Sequence, residues 1–223
     1  MTLNVQLQNG VVLGFPTPMV RHPVAEAETI NGALKAAILK RARKTEGTQR
    51  HNVGVWRSED DFLSWPVAEI EVLKQAINRA VAQLTQLSMG ASGKMVRGEM
   101  NAVAWANVCR AGGYVKPHTH PLSTWSGAYV VAGEKEVEGH PDSGVLELLD
   151  PRPGVDLLNT PGDPYGGSFK VQPIPGLLVV HPSWLVHFVN PYFGRAELIT
   201  VGFTVFVKGV SLVDKEDAAQ AAE

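Results

Sequence analysis

"KPHTHPLSTWSGAYVVAG", residues 116–133, joins two histidines one residue apart to a run of small, β-branched and aromatic side chains. In a strand, residues i and i+2 project from the same face, so His118 and His120 can direct two ring nitrogens at one point. Pro117 and Pro121 flank the pair, and proline cannot donate to a sheet ladder, so the stretch belongs at a strand end or edge, near a mouth. By itself the pair fits a metal chelate or two half-buried histidines with ordinary hydrogen bonds.

The same grammar extends in both directions. MNAVAWANV (100–108), YVKPHTH (114–120), WSGAYVVAG (125–133), GVLELLD (144–150), SFKVQPIPG (168–176), GLLVVHP (176–182) and ELITVGFTVFV (197–207) are short and rich in Val, Ile, Thr and aromatics. Gly, Pro or Asp clusters separate them, and no helical pattern intervenes, which predicts a sandwich or barrel. A third histidine partner stands near the far end of this region. In "GLLVVHPSWLVHFVNP" (176–191), His187 follows a strand and a Pro-Ser-Trp turn. Two strands distant in sequence can be neighbours in a closed β-fold, so the two-plus-one set leaves coordination positions open, as a catalytic metal site requires. His22, His51, His140 and His181 read as structural or solvated.

Toward the amino terminus the period changes to helical. Ile30, Ala33, Leu34, Ala37, Ile38 and Leu39 form a stripe within 25–44 that ends in Lys40, Arg41, Arg43 and Lys44, complementing a helix dipole. A second stripe, Val67, Ile70, Leu73, Ile77, Val81, Leu84 and Leu87, stops at Met89-Gly90. Between them "HNVGVWRSEDDF" (51–62) shows neither period and reads as a loop that reaches back over the domain. The stretch 150–167, rich in Pro and Gly, is too long for a tight hairpin; with the loop around Trp56 it is where specificity is expected. We read residues 1–223 as a single domain: 1–92 a helical part packed on the barrel, 93–210 the β core, and 211–223 a frayed polar tail.

Composition narrows the function. Of 223 residues 44% are hydrophobic and 19% charged, with a net charge of -2, so there is no basic surplus for a phosphate backbone and no nucleic-acid partner is expected. One cysteine, Cys109, excludes an internal disulfide framework and fits a reducing, cytoplasmic compartment. The first residues lack the charged and apolar regions of a signal peptide, and no apolar run approaches the ~20 residues of a spanning helix, so neither export nor a membrane is expected. A homodimer through the helices or a sheet edge is compatible with base rates alone.

Taken in order, "PHTHPLSTWSGAYVV", "LLDPR", "GLLVVHPSWLVHFVNP" and "TVGFTVF", with "GFPTPMV" (14–20), "VGVWRS" (53–58) and "AWANV" (104–108), resemble the 2-oxoglutarate- and iron(II)-dependent oxygenases. The likeness is to a prolyl-hydroxylase-like bacterial and phage branch with an H-x-H-P motif, and it covers most of the chain. It implies a mainly β fold, a double-stranded β-helix (jelly roll, cupin-like) packed by amino-terminal α-helices, with iron at one open end. It implies His118, His120 and His187 as metal ligands, His120 standing where the wider superfamily has a carboxylate. A three-histidine set also suits another divalent metal such as Zn or Ni.

The resemblance further implies Fe(II) and 2-oxoglutarate as cofactors, and a hydroxylase that couples decarboxylation of the keto acid to oxidation of a C–H bond. Relatives hold the distal carboxylate with an Arg or Lys soon after the last histidine, since a guanidinium matches a carboxylate bidentately. Arg195 is the candidate here, although alignment on the last strand places Leu198 at the usual arginine position. Asn107, Ser126, Thr204 and Tyr129 are the other candidate cofactor-binding groups. Trp56, Trp125 and Trp184 are either site walls or core.

Two further readings remain open at this level. "GYVKPHTH" with "PSWLVHFVN" loosely resembles the two cupin motifs, which implies a metal-dependent dioxygenase that does not use 2-oxoglutarate. The usual cupin Glu is replaced by the Thr124–Ser126 stretch, however, and a usual Gly by Trp184. The other reading is a non-catalytic jelly roll that binds a small molecule or a structural metal, with Asp150 as a fourth ligand supplied by folding. The substrate, small-molecule or peptidyl, is not written in the sequence.

Overall fold

A computed structural model describes residues 15–90, 94–157 and 167–214 of the chain. Its order of elements is β1 (Val20–Pro23), α1 (Ala27–Ala42), β2 (Asn52–Arg57), α2 (Glu69–Ser88), β3 (Lys94–His118), β4 (Trp125–Ala132), β5 (Leu146–Leu149), β6 (Ser168–Val171), β7 (Leu177–Pro182), β8 (His187–Val189) and β9 (Leu198–Asp214). The expected tail from 211 begins inside β9; 215–223, like half of the long loop (158–166), lies outside the described residues.

The strands form one curled antiparallel sheet in the order β1-β7-β4-β9-β3-β8-β5-β6, with β2 added on β3. Strand β3 makes the curl. Its first part pairs with β9 from Lys94↔Asp214 to Cys109↔Leu198, and its end pairs with β8 at Val115↔Val189 and His118↔His187. Between these parts, residues 110–113 turn a corner in which Gly112 takes a φ of +83°. The backbone N–H of Gly112 donates to the Tyr192 carbonyl, and that of Tyr192 to Gly113. The result is the jelly roll that the family resemblance implies, within the sandwich-or-barrel class that the strand grammar predicts.

Residue parity divides the sheet into two faces. On the outer face Ala104, Ala106 and Val108 of β3, Tyr129 and Val131 of β4, Leu178 and Val180 of β7, and Ile199, Val201, Phe203 and Val205 of β9 share one core with the helices. Helix α1 contributes Ile30, Leu34 and Ile38, and α2 contributes Ile70, Leu73, Ile77, Val81 and Leu84, each almost fully buried. These are the apolar stripes seen in the sequence, and each fully buried Leu or Ile contributes about 1.5–3 kcal/mol. No helix among the described residues is long and apolar enough to cross a membrane.

One expectation is corrected. Asn52–Arg57, read as part of a loop, is strand β2, paired with β3 through Val55↔Cys109, Trp56↔Val108 and Arg57↔Asn107. The period was hidden by a bulge at Gly54, whose φ is +63°; beyond it Val55 and Arg57 both turn inward. Trp125 proves to be core, with its indole N–H donating to Thr85 Oγ1 (3.0 Å), while Trp184 is exposed.

Candidate active site

His118 is the last residue of β3 and His187 the first of β8, and the two are register partners with ring centroids 4.4 Å apart. His120 follows on the short turn, with its ring 4.9 Å from His118 and 5.2 Å from His187. The turn is pinned to the β7–β8 connection: His120 N–H donates to the Ser183 carbonyl (3.0 Å), Ser183 N–H to Thr124, and the Ser183 hydroxyl to the Ser123 carbonyl. One ligand atom from each ring lies within 4.8 Å of the others, and no carboxylate or thiolate joins the group among the described residues.

The hydrogen bonds fix which nitrogen is free. His118 Nδ1 lies 2.8 Å from the Lys116 carbonyl and His187 Nδ1 2.9 Å from the Leu185 carbonyl. A carbonyl only accepts, so both Nδ1 atoms carry the proton and the Nε2 lone pairs are left for a ligand. Burial lowers the pKa of His118 and His187 to about 4 and of His120 to about 3, assisted by repulsion among the rings. All three are therefore neutral imidazoles at neutral pH, the form that binds a divalent ion.

Two other histidines crowd this group. His181, fully buried, puts its ring 4.6 Å from His187, bonds the Pro182 carbonyl through Nδ1 and has its pKa lowered by burial to about 4. His51, on the loop before β2, stacks on His118 with centroids 4.5 Å apart and planes 18° apart. From the sequence both read as structural or solvated. His181 packs behind the group, whereas His51 borders the cavity in front of it.

That cavity, of about 370 Å³, opens beside the triad and is bordered by Arg50, Arg57, Asp60, Trp105, Asn107 and Thr204 among others. Arg57 is its most deeply set charge, 6% exposed, with Cζ 4.4 Å from the centroid of the Trp105 ring. The other neighbour of Trp105 is His120, at 5.4 Å between rings. Gly202 on β9 makes the stack fit, since a Cβ there would come within 2.6 Å of the Trp105 Nε1. Burial lowers the Arg57 pKa, and its bond to Asp60 raises it again.

The other candidate groups are placed as follows. Asn107 and Thr204 border the cavity, and Asn107 Nδ2 donates to Thr200 Oγ1 (3.2 Å). Ser126 is buried between β7 and β9 with its hydroxyl on the Phe203 carbonyl (3.1 Å). Tyr129 faces the helices, where its hydroxyl donates to Asn31 Oδ1 (2.7 Å). Arg195 lies exposed in the turn before β9, outside the border of the triad cavity. Asp150 pairs with Arg152 (2.5 Å) and borders a different cavity. Cys109 is buried, its thiol pushed up to about 12, so it offers no thiolate.

Residues missed at the sequence level are Arg57, Trp105 and His51. Parity offered a signal for one of them: Trp105 shares a strand face with Asn107. Arg57 and His51 arrive through the β2–β3 pairing, which the Gly54 bulge concealed.

Residues 103–204, which include all three histidines, match the model of the family described as "Putative 2OG-Fe(II) oxygenase". A prolyl-4-hydroxylase from Pseudomonas putida superposes with a TM-score of 0.59 over 86% of this chain and 94% of its own, at 13% identity. The carbocyclase SnoK of nogalamycin biosynthesis, described as non-heme and α-ketoglutarate-dependent, gives 0.56 over 93% and 87%, at 14% identity. The epimerase SnoN in complex with Fe3+, α-ketoglutarate and nogalamycin RO gives 0.53 over 85% and 79%, at 13% identity. Among curated proteins none matches this chain. Residues 103–204, with His118, His120 and His187 among them, are thus similar to the 2-oxoglutarate- and iron(II)-dependent oxygenases, and the solved structures share the fold.

Proposed function

We propose that the protein is an Fe(II)- and 2-oxoglutarate-dependent hydroxylase in which His118, His120 and His187 hold the metal. The observation that carries this reading is the convergence of three neutral imidazoles, within 4.8 Å, at the mouth of a jelly roll whose matched segment contains them all. When bound, the iron and the keto acid supply oxidative decarboxylation to succinate coupled to hydroxylation of a C–H bond.

The chain's own groups prepare that chemistry. The Lys116 and Leu185 carbonyls orient His118 and His187, and the Ser123–Ser183–Thr124 bonds fix the turn that carries His120. Trp105 and His51 border the ligand space, Trp105 beside His120 and His51 stacked on His118. A triad without a carboxylate leaves the charge of a divalent ion uncompensated by its protein ligands, which favours anionic co-ligands such as a keto acid.

The test is anaerobic. Titrating 2-oxoglutarate into the Fe(II)-loaded protein should produce the visible charge-transfer band of a chelated keto acid, and oxygen should then yield succinate. Bound iron without a band would instead support a cupin-like dioxygenase that dispenses with 2-oxoglutarate, a reading favoured by Leu198 at the usual arginine position. The substrate class is a small molecule or a peptidyl side chain reached through the open cavity. A cytoplasmic location is supported by the single buried cysteine, and the net charge of -2 argues against a nucleic-acid substrate.

A further inference from the structure

The space beneath and beside the triad is divided into two compartments of opposite character. The barrel interior is bordered by Val115, Val130, Val189 and Leu198 and leaves only about 60 Å³. It offers no cation, and Gln172 Oε1 is already buried without a donor. An anion placed there would lose its hydration without gaining a charged partner, a costly exchange. The outer cavity is about 370 Å³ and carries Arg57 and Arg50 against a single acid, Asp60. Asp60 is shared between the two arginines, at 2.5 Å from Arg57 Nη2 and 2.9 Å from Arg50 Nη2, so the trio keeps one net positive charge.

The hydrogen bonds of Arg57 show what it has left to give. Nη1 donates to Thr48 Oγ1 and to the Ser58 carbonyl, both at 3.0 Å, and Nη2 donates once to Asp60. A guanidinium has five N–H groups. Nε–H and one Nη2–H thus have no acceptor among the described residues, and Nε with Nη2 is the guanidinium edge that a carboxylate can take bidentately. The fork is pre-organised by three bonds and by stacking on Trp105, which links it to His120. Arg50, more than half exposed, lacks this support.

We infer that Arg57 is the carboxylate anchor of the triad cavity, taking the distal carboxylate of the keto acid from strand β2 where the last strand, with Leu198, supplies no cation. This rests on the cosubstrate reading above. It also moves the anchor from Arg195 to a residue that reaches the site through a different strand.

The experiment compares 2-oxoglutarate with pyruvate, which keeps the keto acid and lacks the distal carboxylate. Both are titrated calorimetrically into Ni(II)-loaded wild type, Arg57→Gln and Arg57→Lys. Wild type should prefer 2-oxoglutarate by about 30-fold, as expected for a desolvated charge-assisted fork. Arg57→Gln should bring the two acids within about 3-fold while nickel and pyruvate affinities stay at the wild-type level, which also certifies the fold. Should Arg57→Gln not fold, Arg57→Lys is decisive, since a point charge keeps the cation and loses the fork: its preference should fall about 5-fold or more. A wild-type preference that both variants retain overturns the Arg57 assignment alone. A wild type with no preference overturns the assignment and the cosubstrate reading together.

Discussion

The two faces of the sheet are built from the same strands and obey opposite rules. On the helix side, alternate residues of β3, β4, β7 and β9 are uniformly apolar and sealed: Ala104, Val108, Ile199, Val201 and Phe203 have no exposure. On the inner side the intervening residues of β3 and β9 include Trp105, Asn107, Thr200 and Thr204, and they meet Arg57 from β2 and the histidines from the strand ends. One face spends every position on packing, and the other holds polar groups in place by hydrogen bonds. A substitution on one face should therefore change stability, and on the other chemistry.

The sharpest break of that contrast is His187→Ala. It removes a ligand while leaving the helix-side core intact, so the protein should remain folded by circular dichroism yet lose metal retention and succinate formation, by at least about 100-fold. A folded variant that still turned over would sink the triad assignment. Phe203→Ala is the converse. Phe203 is fully buried and its ring lies against Gly127, where a Cβ would approach within 2.5 Å, so truncation should cost about 3–5 kcal/mol in urea denaturation with metal affinity of the folded fraction unchanged.

Acid should expose the inner face next. His118, His181 and His187 titrate at about 4 and His120 at about 3 in the folded, metal-free protein, against ~6.5 in the unfolded chain. The unfolded chain binds more protons between these values. Stability is thus fully present above about pH 6.5 and is lost as pH falls toward 4 and below, and saturating metal should protect against that loss. Urea midpoints at pH 7.5 and 5 check this; equal midpoints would contradict the buried placement of the rings.

Two smaller effects refine the boundary between the faces. Tyr129→Phe removes the hydroxyl that donates to Asn31, on the helix side, and should cost about 1 kcal/mol with no change in keto-acid affinity. Arg195→Gln, exposed in its turn, should change 2-oxoglutarate affinity less than about 3-fold. A large loss there would restore Arg195 as the anchor and count against Arg57.

The helix stripes, most strands and the His118–His120 pair were legible because each depends on a short-range period, 3.6 in α1 and α2, 2 in the strands and i, i+2 in the pair; His187 was legible as a distant third histidine and through the family resemblance. What stayed hidden depends on pairing between distant segments. Strand β2 could not be read through the Gly54 bulge, and without it Arg57 and His51 have no address. Ser126 and Tyr129 were both expected to point at the pocket, yet they stand three apart on one strand and so face opposite sides. Parity within β4 carried that information. The turn at 121–124 obscured which parity continued from the histidines.

The Nδ1–carbonyl bonds and depressed basicity of the triad also determine the proton inventory of metal uptake. Most histidine sites must shed protons to take up an ion near neutrality, and their apparent affinity tracks pH and their measured heat depends on the buffer. Here the imidazoles are already stripped by burial, so loading at pH 7 should be proton-silent. Its calorimetric heat should be the same in buffers of very different ionisation enthalpy, and the centre should stay loaded under mild acidity that would empty a solvent-exposed histidine cluster.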